Sequence, residues 1–236
     1  MAWADVDLPC LGVGVTYSGL LDPILDPGVA DVLEIEPQAF WIRSIGGDTP
    51  YQFPEAAIAH IDELPGRKLI HSVGAPVGGS VRPDDAHLAL LKQTVDRFES
   101  PWASDHLSFN ATPEFSTGFF LPPRQTAANI EPVARNIRAL RQALNVPLAV
   151  ETGVNYLQPR SDELPDGEFV ARVVEAADCG VLLDIHNIFA NALNQGQRTL
   201  TSLRRKDLHQ ELVVPACDSA LSLDAVLGRV TFQQAD

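Results

Sequence analysis

Three of the six histidines in this sequence, His71 in LIHSVG, His106 in SDHLSF and His186 in LLDIHN, stand where a short apolar run ends. Other donors occupy matching places: Glu151 in LAVETG, Asp184 in LLDIH, and Asn187 just beyond. Imidazole and carboxylate on a rigid scaffold are what Fe, Mn and Zn sites use, and a mixed set with open positions favours non-haem iron. A single histidine at a strand end is more often a hydrogen-bonded rim or core residue than a ligand. The recurrence of His71, His106, Glu151 and Asp184 at four successive strand ends is what points to metal. Side chains alternate along a strand, so Asp184 and His186 share a face, whereas Asn187 joins them only where strand has become loop. By the same alternation Asp105 faces away from His106, as a structural hydrogen-bond acceptor or an outer support of the ligands. Glu34 and Glu36 stand on an earlier strand, where capping or salt-bridge roles are an equal alternative, and Gln38 reads as simply polar. His60, His87 and His209 fall on expected helices and are expected to face solvent.

These residues need a scaffold that brings strand ends together. Six segments read as strands (12–17, 32–37, 68–73, 102–109, 148–154 and 181–187), with helical periodicity between most of them, the pattern of parallel βα units. The helix expected at 83–98 opens with Pro83 and two aspartates and carries one apolar stripe of Leu88, Leu91, Val95 and Phe98. Helices at 126–144 and 168–177 repeat it with Ile130, Val133, Ile137, Leu140 and Leu144, and with Phe169, Val170, Val173, Val174 and Ala177. A doubly wound sheet is the alternative, but the first turn, GVGVTYSGLL, lacks the GxGxxG pattern that seats a pyrophosphate. The expected fold is therefore α/β, a TIM-type (β/α) barrel whose site is built from strand C-termini. About six βα units are recognisable, so the barrel is incomplete. Residues 1–200 form the main part of a single barrel domain, and 201–236 an atypical tail with a helix at 203–214 and a short strand at 229–232. Thirty-six residues hardly supply two βα units. PVGGS at 76–80 offers backbone N–H groups to an anion or, the plainer reading, makes a turn. GFFLPPRQT at 118–126 lines a substrate mouth or merely buries Phe119 and Phe120.

Composition narrows the classes. At 236 residues and 45% hydrophobic content, the chain can bury one large core. Its net charge of −14 opposes phosphate-backbone binding, so nucleic acid is not an expected partner. Cys10, Cys179 and Cys217 are too few and too scattered for a disulfide framework, and no pair has CxxC zinc spacing. Cys179 reads as a small buried hydrophobe. MAWADVDLPC carries acids where a signal peptide carries bases, and no apolar run approaches membrane-spanning length. A soluble cytoplasmic protein with no membrane partner is the expectation.

Taken in order, LIHSVGAPVGG, SDHLSF, GFFLPPRQT, LAVETGVNYLQPR and ADCGVLLDIHNIFANALNQG resemble the multinuclear non-haem iron-dependent oxidative enzymes. GVGVTYSGLL and VLEIEPQAFW look like that family's first two strands, and the resemblance spans about residues 12–196. It implies a TIM-type barrel with two or three irons at the strand ends, O2-dependent modification of ribosomally made peptides, often at cysteine, and a partner protein that presents the peptide. It places His71, His106, Glu151 and Asp184 at the family's ligand positions on strands three to six, with Asn187 at the next ligand-capable position. Thr152 stands where many members have asparagine, and Gln38 where many have glutamate. The family's later motifs, a strand ending in histidine, an Asp-x-His and a late glutamate, are not recognisable after Leu200, which implies an altered or truncated C-terminus. Two other readings remain open: a Mn, Mg or Zn barrel hydrolase or isomerase, and an inactive barrel acting only through association.

Overall fold

The computed structural model describes residues 8–44, 50–83, 85–157 and 160–194. In chain order its strands and α-helices are β1 (Gly14–Thr16), β2 (Val32–Ile35), β3 (Ile42–Arg43), β4 (Tyr51–Gln52), α1 (Glu55–Glu63), β5 (Arg67–Ser72), α2 (Asp85–Arg97), β6 (Ala103–His106), β7 (Phe109–Ala111), β8 (Ser116–Leu121), α3 (Ile130–Leu144), β9 (Leu148–Glu151), α4 (Asp166–Ala177), β10 (Gly180–Leu182) and α5 (Ile185–Asn194). The tail at 201–236, with His209 and the elements expected there, lies outside the described residues.

Six strands form one sheet in the order β1-β2-β5-β6-β9-β10, which is also their order along the chain. Every pairing in it is parallel. Right-handed crossovers that always step the same way put every connecting helix on one face, whereas a doubly wound sheet reverses its order at a switch point. The described residues thus form an incomplete (β/α) barrel. Helices α2, α3 and α4 lie side by side along its outside.

Alternation along the strands separates two apolar layers. Leu33, Ile35, Ile70, Ala103, Leu148, Val150 and Val181 belong to the large core shared with α2, α3 and α4. Val32, Leu69, Trp102 and Ala149 form a second, smaller cluster that no described helix enters, with Leu182 packed against it. This second layer is the floor of the concave side. Two residues further along the same strands, that side becomes polar with Glu34, His71, Ser104 and Glu151, and His106 follows Ser104 by the same step.

The helical stripes expected from periodicity are those that bury. Val133, Ile137, Leu140 and Leu144 of α3, and Phe169, Val170, Val173, Val174 and Ala177 of α4, are all buried. Arg138 ties the two helices by donating to the Ala176 carbonyl at 2.6 Å. At the end of α4, Cys179 is wholly buried, and that burial raises its thiol to about 12, against the pull of the Arg141 charge and with a smaller push from Asp178. Iodoacetamide at pH 8 should therefore leave Cys179 unmodified in the folded chain and label it in urea, as read by peptide mass mapping. Labelling at equal rates in both states would contradict the packing.

Three strands end three or more residues sooner than expected. The run expected at 102–109 leaves the sheet after His106 and returns as β7 of an antiparallel hairpin with β8. The run at 148–154 ends at Glu151, and that at 181–187 ends at Leu182. In the last case the cause is local: the Asp184 carboxylate accepts the Asn187 N–H at 3.0 Å, a side-chain cap that starts α5. PVGGS is a tight turn, because the N–H groups of Val77 and Gly78 already donate to the His106 and Ser108 carbonyls. A Cβ at Gly78 would come within 2.8 Å of the Ser108 carbonyl oxygen, so the turn needs glycine there.

Candidate metal centre

His71, His106 and Glu151 project from the C-terminal ends of β5, β6 and β9, three neighbouring strands. Register places His106 directly beside Glu151 and His71 beside Ser104. One ligand atom from each of the three lies within 4.8 Å of the others. The Glu151 Oε2 is 3.1 Å from the His71 Nε2 and 3.3 Å from the His106 Nδ1. The two imidazole Nε2 atoms are 3.2 Å apart. His71 turns that nitrogen inward because its Nδ1 is held by the Ser104 hydroxyl at 2.8 Å, the outer hydrogen bond that fixes a metal-binding imidazole. Two imidazoles and one carboxylate, buried or half-buried at rigid strand ends, fit a divalent transition metal.

The electrostatics separate the two rings. Burial works to lower His71, but the Glu151 hydrogen bond and the charges of Glu34, Glu151 and Asp105 outweigh it and raise its pKa. Burial lowers His106 to about 4, with the His71 charge adding to the effect and Glu151 and Asp184 opposing it. A proton held by this pair therefore sits on His71. Asp105 faces the other side of its strand, fully buried. Burial pushes its carboxyl up to about 7, against a hydrogen bond with Ser72, the His71 charge and the N–H groups of His106 and Ala75. It is a structural acceptor joining β6 to the chain after β5.

The remaining sequence candidates divide. The Asn187 amide donates to the Glu151 Oε1 at 3.3 Å and to the Thr152 carbonyl at 2.9 Å, so it touches the site from the first turn of α5. Asp184 caps that helix and its charge acts on His106, yet it is not among the three groups whose ligand atoms converge. The structure does not bring His186 into the cluster: it is exposed on α5. The alternation that paired it with Asp184 ends once the helix begins at Ile185 and successive side chains rotate by about 100°. His60 is exposed and 2.9 Å from Asp22, whereas His87 does not face solvent freely; its ring packs edge-on against Trp41 at 4.8 Å.

Several other residues take roles that residue type alone does not reveal. Glu34 lies on the concave side, takes a 2.8 Å hydrogen bond from Thr16 and acts on His71 through its charge; counting by twos from Val32 would have found it. Gln38 is more than polar filler, donating to the Ser72 hydroxyl at 2.9 Å and accepting from the Val73 N–H at 3.2 Å. Asp166 is half-buried and accepts from Gln125 at 2.5 Å and Asn155 at 2.8 Å, tying the chain after β8 to the start of α4. GFFLPPRQT divides as well: Phe119 is 75% exposed, while Phe120 stacks on His106 with centroids 4.2 Å apart. Beyond Phe120, a groove of about 280 Å³ runs between Leu121–Gln125 and the Asn155–Glu163 side, with Tyr156, Leu157 and Arg160 on its wall.

The model for RiPP precursor modification enzymes of the MbnB/TglH/ChrH type matches residues 21–214 of the chain. The chain belongs to that family. Relatives of the family include a UPF0276 protein of Chromobacterium violaceum, 32% identical over 178 residues, which are 73% of this chain and 63% of that protein. A UPF0276 protein of Streptomyces avermitilis is 29% identical over 201 residues, 80% of this chain and 39% of that one. The chain thus spans less than two thirds of either relative. Among solved structures it is similar to D-psicose 3-epimerase of Clostridium cellulolyticum H10, with TM-score 0.46, 10% identity and coverage of 78% of this chain and 71% of that one, a likeness too weak to bear on activity. Within the MbnB/TglH/ChrH family the positions of Gln38 and Thr152 acquire a structural sense. Gln38 bridges β5 to the chain after β2, and Thr152 lends its hydroxyl to the Asp184 N–H at 3.4 Å, helping to start α5 beside the site.

Proposed function

We propose that this protein carries out iron-dependent oxidative modification of a ribosomally made peptide, using O2 at a multinuclear non-haem iron site of two or three ions. The observation that supports it is the convergence of His71, His106 and Glu151 within 4.8 Å at three strand ends in a member of a precursor-modifying family. These three residues would hold metal, with Asp184 and Asn187 beside them. Bound iron supplies redox chemistry with O2 that no side chain offers. The protein's own residues do the rest. Ser104 orients His71, Asn187 holds Glu151, and Phe120 covers His106, keeping bulk water from that side of the site. In this reading a partner protein presents the peptide.

The peptide lies along the groove beyond Phe120, whose lining mixes Phe109, Leu121, Pro122, Tyr156 and Leu157 with Arg160. Tyr156 and Leu157 are exposed, and apolar side chains left open beside a groove gain by being covered by a peptide's own apolar groups. Leu157→Asp should raise KM for the peptide about tenfold with little change in kcat, because it removes binding shared by ground and transition states. A fall in kcat with unchanged KM would place the peptide elsewhere.

The deciding experiment is elemental analysis of chain purified without oxygen, followed by incubation with a candidate precursor peptide and O2 and mass spectrometry of the product. Two or three irons per chain and an O2-dependent mass change are expected. Modification by iron-free protein would overturn the reading, and retained metal without redox activity would turn it toward a Mn, Mg or Zn hydrolase or isomerase.

A further inference from the structure

The two histidines of the centre are oriented in different ways. His71 has its outer nitrogen tied to Ser104. The His106 ring has no corresponding hydrogen bond among the described residues; its nitrogens face only Glu151 and His71, the groups that converge with it. What holds its plane from outside is Phe120, stacked at 4.2 Å and 27° from parallel. Phe120 comes from β8, in a two-stranded hairpin with β7 that pairs with no other described strand. Its neighbour Phe119 points into solvent, so burying apolar surface as such does not explain why Phe120 turns inward.

We propose that Phe120 is a positioning residue of the metal centre, supplying to His106 by ring stacking the orientation that a hydrogen bond supplies to His71. An imidazole free to rotate about its side-chain bonds would present its nitrogens to metal only part of the time, and loss of an outer support of a ligand typically weakens metal binding about 10–100-fold. The inference rests on the metal-centre reading given above and adds a residue that is not itself a ligand. It also makes the hairpin part of the site, since any shift of β8 moves the support of His106.

The test is cobalt(II) binding to the metal-free full chain, followed through its d–d absorption bands. Phe120→Leu, which keeps apolar bulk but removes the ring, should weaken cobalt binding about tenfold and shift the bands, while Phe120→Tyr should match the parent protein in both. In metal-free protein with labelled histidine, the His106 ring protons should resonate upfield of the exposed His186 in the parent and Phe120→Tyr chains, and return toward it in Phe120→Leu. Affinity and bands unchanged in Phe120→Leu would overturn the proposal, and so would the absence of an upfield shift in the parent protein, which needs no variant to fold. Parent protein that takes up no cobalt would overturn the metal-centre reading and the role of Phe120 with it. Parent protein that binds cobalt no better than Phe120→Leu overturns the role of Phe120 alone.

Discussion

Glu151→Gln should reduce iron affinity at least about 100-fold and abolish peptide modification while leaving the fold in place. Glu151 is the one carboxylate in the convergent set, close to both His71 and His106. It contributes the negative charge that a divalent cation needs, and a neutral amide of the same shape does not. Losing even an outer support costs about 10–100-fold, so losing the charged ligand itself should cost more. Shape is retained, and the glutamine carbonyl can still accept from the Asn187 amide. The measurement is iron per chain in anaerobically purified variant, alongside its thermal transition. A variant with full iron content would remove Glu151 from the ligand set; one that fails to fold would show that its role is structural.

Trp102→Ala carries the largest expected loss of stability, about 3–5 kcal/mol. Trp102 is 2% exposed and heads the largest buried side chains. It fills the concave floor with Val32, Leu69 and Ala149, directly before the strand that carries Ser104 and His106. The floor is packed from neighbouring strands held in register, so the space left by the indole should relax poorly. A loss of this size is a large part of a typical domain's 5–15 kcal/mol and should appear as a lower urea midpoint. Loss of less than about 1 kcal/mol would mean that the floor collapses and refills.

The two variants act on successive layers of one surface, and the layering shows how far residue order alone could be read. The helical stripes of α3 and α4 were visible because a period near 3.6 is a property of the local chain, and all of those side chains are buried except Ile130, half-buried at the start of α3. The strand ends at His71, His106 and Glu151 were visible for a similar reason: a run of β-branched and aliphatic residues interrupted by a metal-capable side chain needs no partner to be recognised. Asp105 could be assigned to the far side of its strand from parity alone.

His186 marks the boundary of that logic. Whether LLDIHN continues as strand or turns into helix depends on the Asp184 cap and on the packing of Ile188 and Asn191, both buried, and so short a stretch, half of it apolar, suits either state. The hairpin that brings Phe120 onto His106 and leaves Phe119 in solvent was equally hidden, since the two neighbours are the same residue type and only a contact from a distant strand tells them apart. The roles of Gln38, Thr152 and Glu34 also came from partners far along the chain, among them Ser72, Asp184 and His71. By itself the sequence determined which strands end in metal-capable side chains, which helix faces are apolar, and that the strands are parallel, because these are set by composition and short-range period. Tertiary structure decided which of those residues meet and what holds them in orientation, because convergence depends on strand order, register and the point where each strand ends, and these are fixed only when distant segments pack.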